Sequence, residues 1–260
     1  MLKARRIAVC LLTVALAGLA TRALADEALD KAFEALAKYD WGQDRSVLKP
    51  IDDAVVASHN DAAAKKALEK RLVEVLKSDA PHAAKDYVCR KLSLIGSAAS
   101  VPALAALLPD EKLSHMGRYA LERMPCAEAV AAMREALSKT QGLQKIGVIN
   151  SLGVRRDAKS TAALTALLKD SDPQIVAAAA AALGSIGTVQ ASKALGEFQK
   201  TAPESLALAA ADACLVCAER LLADGKKLEA MGIYKSLSKS KIKHVRLAAM
   251  RGLLAATGKK

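Results

Sequence analysis

Six leucines recur along the chain near the ends of amphipathic segments, and their spacing restrains the fold more than any other feature. They are Leu92 in YVCRKLSLIG, Leu121 in MGRYALERM, Leu152 in GVINSLGV, Leu183 in AAAAALGSIG, Leu215 in AADACLVC and Leu253 in AAMRGLLAATG, at spacings of 29, 31, 31, 32 and 38 residues. A period of this size is the signature of a stacked-repeat architecture. After most anchors a second apolar segment follows a short turn: VPALAALL after Ser100, AVAAMREAL after Glu128, TAALTALL after Ser160 and ASKALGEF after Gln190. The repeating unit is therefore a helical hairpin.

The punctuation agrees. Gly96, Gly153, Gly184 and Gly187 fall where helices should stop, and Asp172-Pro173 supplies an N-cap followed by proline at the first helical position. No run alternates with period two, so no strand is expected. A hairpin of about 31 residues cannot bury its own apolar face and must stack on its neighbours. The six alanines Ala177 to Ala182 suit a helix pressed between two others. The expected fold is all-α: a right-handed α-solenoid of five or six stacked hairpins spanning residues 81–260.

Residues 26–80 contain three further helical segments, DEALDKAFEALAKYD, RSVLKPIDDAVVAS and DAAAKKALEKRLVEVL. They read as an N-terminal cap, because the end of a solenoid exposes a core-forming face unless an atypical unit covers it. Phe33, Tyr39 and Trp41, three of the chain's seven aromatics, are expected to plug that end.

Ahead of the cap, a basic stretch from Met1 to Arg6 precedes a 14-residue apolar run, Ile7 to Ala20, and the small residues Ala23 and Ala25. This is the pattern of a secretory signal peptide over residues 1–25, cut near Ala25. The alternative, a retained anchor, would need about 20 apolar residues to span a bilayer. The expected product is exported, periplasmic or secreted. Four of the 39 basic residues leave with the leader, so 35 basic residues face 27 acidic ones. That charge is concentrated: from Gly225 to Lys260 there are ten Lys or Arg and one acid, Glu229.

The segments DPQIVAAAAAALGSIGTVQASKAL and HVRLAAMRGLLAATG resemble bacterial HEAT-like repeats of the PBS-lyase type, whose pattern runs Asp-Pro-x-Val-Arg-x-Ala-Ala-x-x-Ala-Leu-Gly. Asp172, Pro173, Leu183 and Gly184 match it. Val176 stands where the family has Arg, and Val245-Arg246 restores that pair. The fifth unit, residues 203–238, is longer. Its AERLLADGKKLEAMGIYKSL resembles a tetratricopeptide helix pair, with Ala218, Gly225, Ala230 and Tyr234 at the small, turn and aromatic positions. The resemblance implies an armadillo/HEAT-like superhelix and a protein-binding scaffold or adaptor. It also leaves open an enzyme of the lyase type, by analogy alone.

Cys214 and Cys217 form a CxxC, but they lie deep in a helix and on its apolar side rather than at an N-terminus where the dipole would activate a thiol, so inert packing is expected. Residue 218 is Ala, which excludes haem attachment. Cys89 and Cys126 could form a disulfide if adjacent repeats bring them together. The histidines at 59, 82, 115 and 244 are isolated and none precedes Glu, unlike the HEAT-like hydroxylases that hold two irons with His-Glu pairs. No cofactor is expected. Nucleic acid is disfavoured as a partner by 3% aromatic content, which supplies few stacking platforms.

The remaining candidates are contact residues for another protein, with the chain itself expected to be monomeric. Two residues before the anchors stand Arg90, Tyr119, Asn150, Ala181, Ala213 and Arg251, and seven before stand Lys85, Ser114, Lys145, Val176, Leu208 and Arg246. Of these, Arg90, Tyr119, Asn150, Arg251, Lys85, Lys145 and Arg246 are the candidate ridge. The alternative is that they are solvated faces of amphipathic helices. Lys226, Lys227, Lys239, Lys241 and Lys243 form a candidate patch for an acidic polymer, which would suit an envelope structural role, or for a membrane surface. The alternative there is a soluble basic cap.

Overall fold

The computed structural model describes residues 25–258. Apart from Ala25, the expected leader lies outside the described residues, as do Lys259 and Lys260. Among the described residues there is no strand, and the chain is an all-α solenoid of helical hairpins. In order the helices are α1 (residues 25–36), α2 (Lys49–Ala57), α3 (Ala62–Lys77), α4 (His82–Ile95), α5 (Val101–Ala105), α6 (Ser114–Arg123), α7 (Ala127–Ala136), α8 (Gly142–Val154), α9 (Thr161–Leu167), α10 (Pro173–Ile186), α11 (Val189–Thr201), α12 (Ala207–Ala223), α13 (Lys227–Leu237) and α14 (Lys243–Thr257). They form two compact units dividing between Ala103 and Leu104. The N-terminal unit extends past residue 80 because α4 packs on α3.

In the second unit the anchor helices α6, α8, α10 and α12 pack on one another in chain order, and α7, α9, α11 and α13 follow them in a second layer. Leu121, Leu152 and Leu183 are fully buried. The contacts between successive anchor helices recur every 31 residues. Gly153 backs onto Ala182, and a Cβ built on Gly153 would stand 2.9 Å from the Ala182 Cα. Gly184 backs onto Ala213, with 2.6 Å between its would-be Cβ and the Ala213 carbonyl oxygen. One repeat earlier the equivalent pair is Glu122 and Ser151, and there the Ser151 hydroxyl donates to the Glu122 carboxylate at 2.5 Å.

This register corrects the fifth anchor. Ala213 precedes it as Ala182 precedes Leu183, so the anchor is Cys214, which is buried, and not Leu215, which is half-buried. Leu253, the sixth, is also half-buried.

Helix ends are closed by side chains. Asp172 accepts from the Gln174 N–H at 2.8 Å with Pro173 at the first turn, Gly187 ends α10 at φ 66°, and the Thr188 hydroxyl accepts from the Ala191 N–H at 3.1 Å. Arg134 pairs with Asp157 at 3.0 Å, and Asp157 accepts from the Ser160 hydroxyl at the turn before α9.

The first unit is held differently. Leu36, Leu48, Ile51, Leu72 and Leu92 are its fully buried core. Phe33 is buried beneath the Arg71 guanidinium, 4.0 Å from the ring centre, and Arg71 pairs with Asp30 at 2.8 Å. Glu69, almost wholly buried, accepts from the Ser97 N–H at 2.7 Å and from the hydroxyls of Ser97 and Ser100. It closes the turn after α4 from 28 residues away. Tyr87 donates to Asp52 at 2.7 Å, and Lys91 pairs with the same carboxylate. Phe33 and Tyr39 are buried as a plug would be, but Trp41 is not: it is 67% exposed.

Candidate functional site

With the register corrected, one column of the second unit reads Tyr119, Asn150, Ala181 and Asp212, each 31 residues from the next and two before its anchor. Asn150, Ala181 and Asp212 are exposed and Tyr119 is half-exposed. The correction replaces buried Ala213 by exposed Asp212. Two residues beyond the anchors, a parallel column reads Arg123, Val154, Ser185 and Val216, of which Val154 is exposed despite being apolar. The two columns are one and a bit helical turns apart and share the outward side of four successive helices. The Arg123 guanidinium lies 3.7 Å from the centre of the Tyr119 ring. The result is an extended surface of mixed polarity rather than a pit.

The column seven residues before the anchors is different in kind. Val176 and Ser114 are buried, and the Ser114 hydroxyl donates to the Leu108 carbonyl at 2.7 Å. Lys145 is half-exposed. Arg246 donates to the Ser240 carbonyl at 2.8 Å, so it braces the turn before α14. This column turns toward the packing and does not continue along the surface.

Beneath Tyr119 lies a polar cluster with no local sequence pattern. Arg118 reaches from α6 to α8 and donates to the Gly147 carbonyl and the Ser151 hydroxyl, each at 3.3 Å, while its Nε is buried without a partner. Burial lowers the Arg118 pKa against the opposing pull of Glu122. Gly147 makes the space: a Cβ there would fall 2.6 Å from the guanidinium carbon. The one legible signal was a glycine inside a helix. Ser151 is fully buried, so this cluster joins two repeats and offers no accessible nucleophile.

In the first unit, Arg90 is brought to a cavity of about 220 Å³ together with Tyr39, Trp41, Arg45, Asp86 and Tyr87. Arg90 pairs with Asp86 at 2.9 Å. Lys85, half-exposed on the same helix, does not line it. Arg90, a candidate ridge residue and exposed, thus shares this small aromatic recess with Trp41.

Lys226, Lys227, Lys239, Lys241 and Lys243 are all exposed. Arg251 is exposed on α14 and lines a shallow hollow with Glu219, Tyr234 and Gly252. The four described cysteines are free thiols, so Cys89 and Cys126 form no bridge. Burial pushes the Cys214 thiol up to about 12 and that of Cys217 to about 11. Cys214 lies at the floor of a cavity of about 670 Å³ between α11 and α13, whose walls include Gly196 and Gly232. Among the described residues no group of three His, Cys, Asp or Glu could hold a metal ion, and no helix is long and apolar enough to cross a membrane.

Residues 144–215 match the family model for HEAT repeats. That span holds the two Gly-Ala contacts, Gly153 with Ala182 and Gly184 with Ala213. That span is similar to HEAT repeats. Among solved structures, the archaeal HEAT-like repeats protein from Thermococcus onnurineus NA1 is similar at a TM-score of 0.50 and 15% identity, covering 88% of this chain and 97% of that one. An engineered protein is similar at 0.43 and 19%, covering 87% and 67%. Human deoxyhypusine hydroxylase, solved with glycerol, is similar at 0.36 and 13%, covering 93% and 99%. The likeness to the archaeal protein is one of fold. No curated protein matches the sequence.

Proposed function

We propose that the protein is a non-catalytic scaffold or adaptor that binds another protein along the outward side of α6, α8, α10 and α12. One observation carries this reading: Tyr119, Asn150, Ala181 and Asp212 recur at 31 residues on successive stacked helices and face solvent. Such a column is an extended binding surface of the kind stacked repeats present. Its mixture of a tyrosine under an arginine, an amide, a carboxylate and exposed valines suits a protein surface better than a small substrate. The tetratricopeptide-like character of residues 203–238 belongs to the same reading, supported by buried Ala218, Ala230 and Tyr234 and by Gly225 at φ 77°.

The place of action in this proposal is outside the cytoplasm, on the strength of the basic and apolar pattern over residues 1–25. Site-specific photo-crosslinking tests both halves. A crosslinker at Asn150 or Asp212 is expected to give discrete adducts in the envelope or secreted fraction, while one at exposed Lys169, in the turn before α10, gives none. Equal adducts from all three positions would sink the ridge, and a protein confined to the cytoplasm would sink the location.

A further inference from the structure

Helix α14 is apolar on two opposite sides. Toward the stack it buries Val245, Ala249 and Ala256, and on the far side Leu247, Met250 and Leu254 are 46%, 50% and 55% exposed. At 3.6 residues per turn these three lie within about 60° of arc. A helix apolar all round is normally covered all round, and no described residue covers this side.

The register says what the side is for. Val245-Arg246 and Leu253 align with Ile175-Val176 and Leu183, which sets Gly252 at the place of Ala182, Leu254 at that of Gly184 and Met250 at that of Ala180. In α10, Ala182 faces the preceding anchor helix and Gly184 faces the following one. Gly252 faces back into the stack, here against α13, since a Cβ there would fall 2.3 Å from the Tyr234 ring. Leu254 therefore occupies the position at which an internal helix receives its successor. Leucine and methionine, where α10 has glycine and alanine, forbid backbone contact as close as that of α10 with α12. They suit a helix held at ordinary spacing by interdigitating side chains.

Charge narrows the occupant. Arg251 borders the apolar stripe about 40° beyond Leu247, Lys243 stands in line with the stripe about one turn before Leu247, Lys239 and Lys241 lie in the turn leading into it, and Glu229 is the sole acid from Gly225 onward. We propose that the outward face of α14, built on Leu247, Met250 and Leu254, docks an amphipathic helix of another protein whose apolar stripe is bordered by Asp or Glu. A two-fold pair of this chain would set Arg251 near its own copy, whether the helices ran parallel or antiparallel about Met250. A lipid surface is matched less well, because the stripe is only three residues long and has no aromatic anchor. The proposal takes its protein partner from the scaffold reading but places it on a different face.

The test is binding of the full protein to a fluorescein-labelled helical peptide of about 18 residues with leucines at heptad-like spacing and Glu on the flanks. The Glu-flanked peptide is expected to bind saturably, and a Lys-flanked peptide with the same leucines at least about tenfold more weakly. The double variants Leu247→Lys/Leu254→Lys and Lys243→Glu/Arg251→Glu should each weaken binding at least about tenfold. All four sites are exposed, so both variants should keep the wild-type helical circular dichroism. Absence of saturable binding would overturn the proposal, as would binding that survives Leu247→Lys/Leu254→Lys. So would a dimer in sedimentation, or capture of anionic phosphatidylglycerol vesicles, that depends on the two leucines while the peptide fails. Adducts at Asn150 that persist when peptide binding fails would leave the scaffold reading standing and remove this one.

Discussion

Between α10 and α12 the contact is backbone against backbone: Gly184 leaves no room for a side chain before the Ala213 carbonyl. Between α3 and the turn after α4 it is a carboxylate, Glu69, gathering a backbone N–H and two serine hydroxyls. From α8 to α12 the anchor helices meet by omission of side chains, whereas the first unit, like the step from α6 to α8, uses polar groups brought from afar. Omission repeats easily, since glycine and alanine serve again at the next 31-residue step, Gly153 with Ala182 and Gly184 with Ala213. A buried carboxylate must be supplied with partners individually, because any left unpaired costs free energy. The difference is why one half of the molecule reads as a repeat and the other does not.

The sharpest way to break this comparison is to put a side chain back. Gly184→Ala is expected to destabilise by about 2 kcal/mol, and Gly184→Leu by about 3 kcal/mol or more, since the obstacle is backbone and cannot swing away. Urea unfolding followed by circular dichroism measures both. Equal stability of wild type and Gly184→Leu would mean that α10 and α12 are not held at this distance. In the first unit the matching experiment is Glu69→Ala, expected to cost about 2 kcal/mol by leaving the Ser97 N–H and the Ser100 hydroxyl without their acceptor. If Glu69→Gln restores most of that loss, hydrogen bonding rather than charge holds the turn.

A smaller effect separates the units by pH. Burial opposes the charge on Asp52, but the hydrogen bonds from Lys91 and Tyr87 outweigh it and keep the carboxyl below the ordinary carboxylate range. A carboxyl depressed on folding stabilises above its unfolded value of about 4. That contribution disappears as pH falls through the lower folded value. Tyr87→Phe should therefore cost about 1 kcal/mol at neutral pH, and the stability lost between about pH 5 and pH 2 should shrink. An acid limb identical to that of wild type would show that Tyr87 does not hold Asp52 in its ionised form.

The repeat was legible because each anchor must be inside, and an obligation that recurs leaves a period. Leu121, Leu152 and Leu183 met it. The slip at Leu215 came from two adjacent apolar residues: the cysteine before it is smaller, and only the contact of Gly184 with Ala213 shows that Cys214 carries the position. Trp41 misled for another reason, since an aromatic side chain serves a core or a surface equally well and composition gives it no direction. Glu69 and Arg118 act on partners 28 or more residues away, a separation at which no local pattern operates. The outward column was half legible: its polar members stood out, but the one-residue slip concealed Asp212.

The finest distinction is between glycines themselves. Gly196 and Gly232 stand in α11 and α13 with nothing within 4 Å of a would-be Cβ, beside the cavity above Cys214. Neither has a left-handed backbone, so an alanine fits each without strain. Gly196→Ala is expected to raise stability by about 0.5 to 1 kcal/mol, because it restricts the unfolded chain and improves helix propensity while touching nothing. Set against Gly184→Ala, the same chemical change in the neighbouring layer should carry the opposite sign. If Gly196→Ala instead destabilises, α11 and α13 close on each other in solution, and the opening between them is narrower than its 670 Å³.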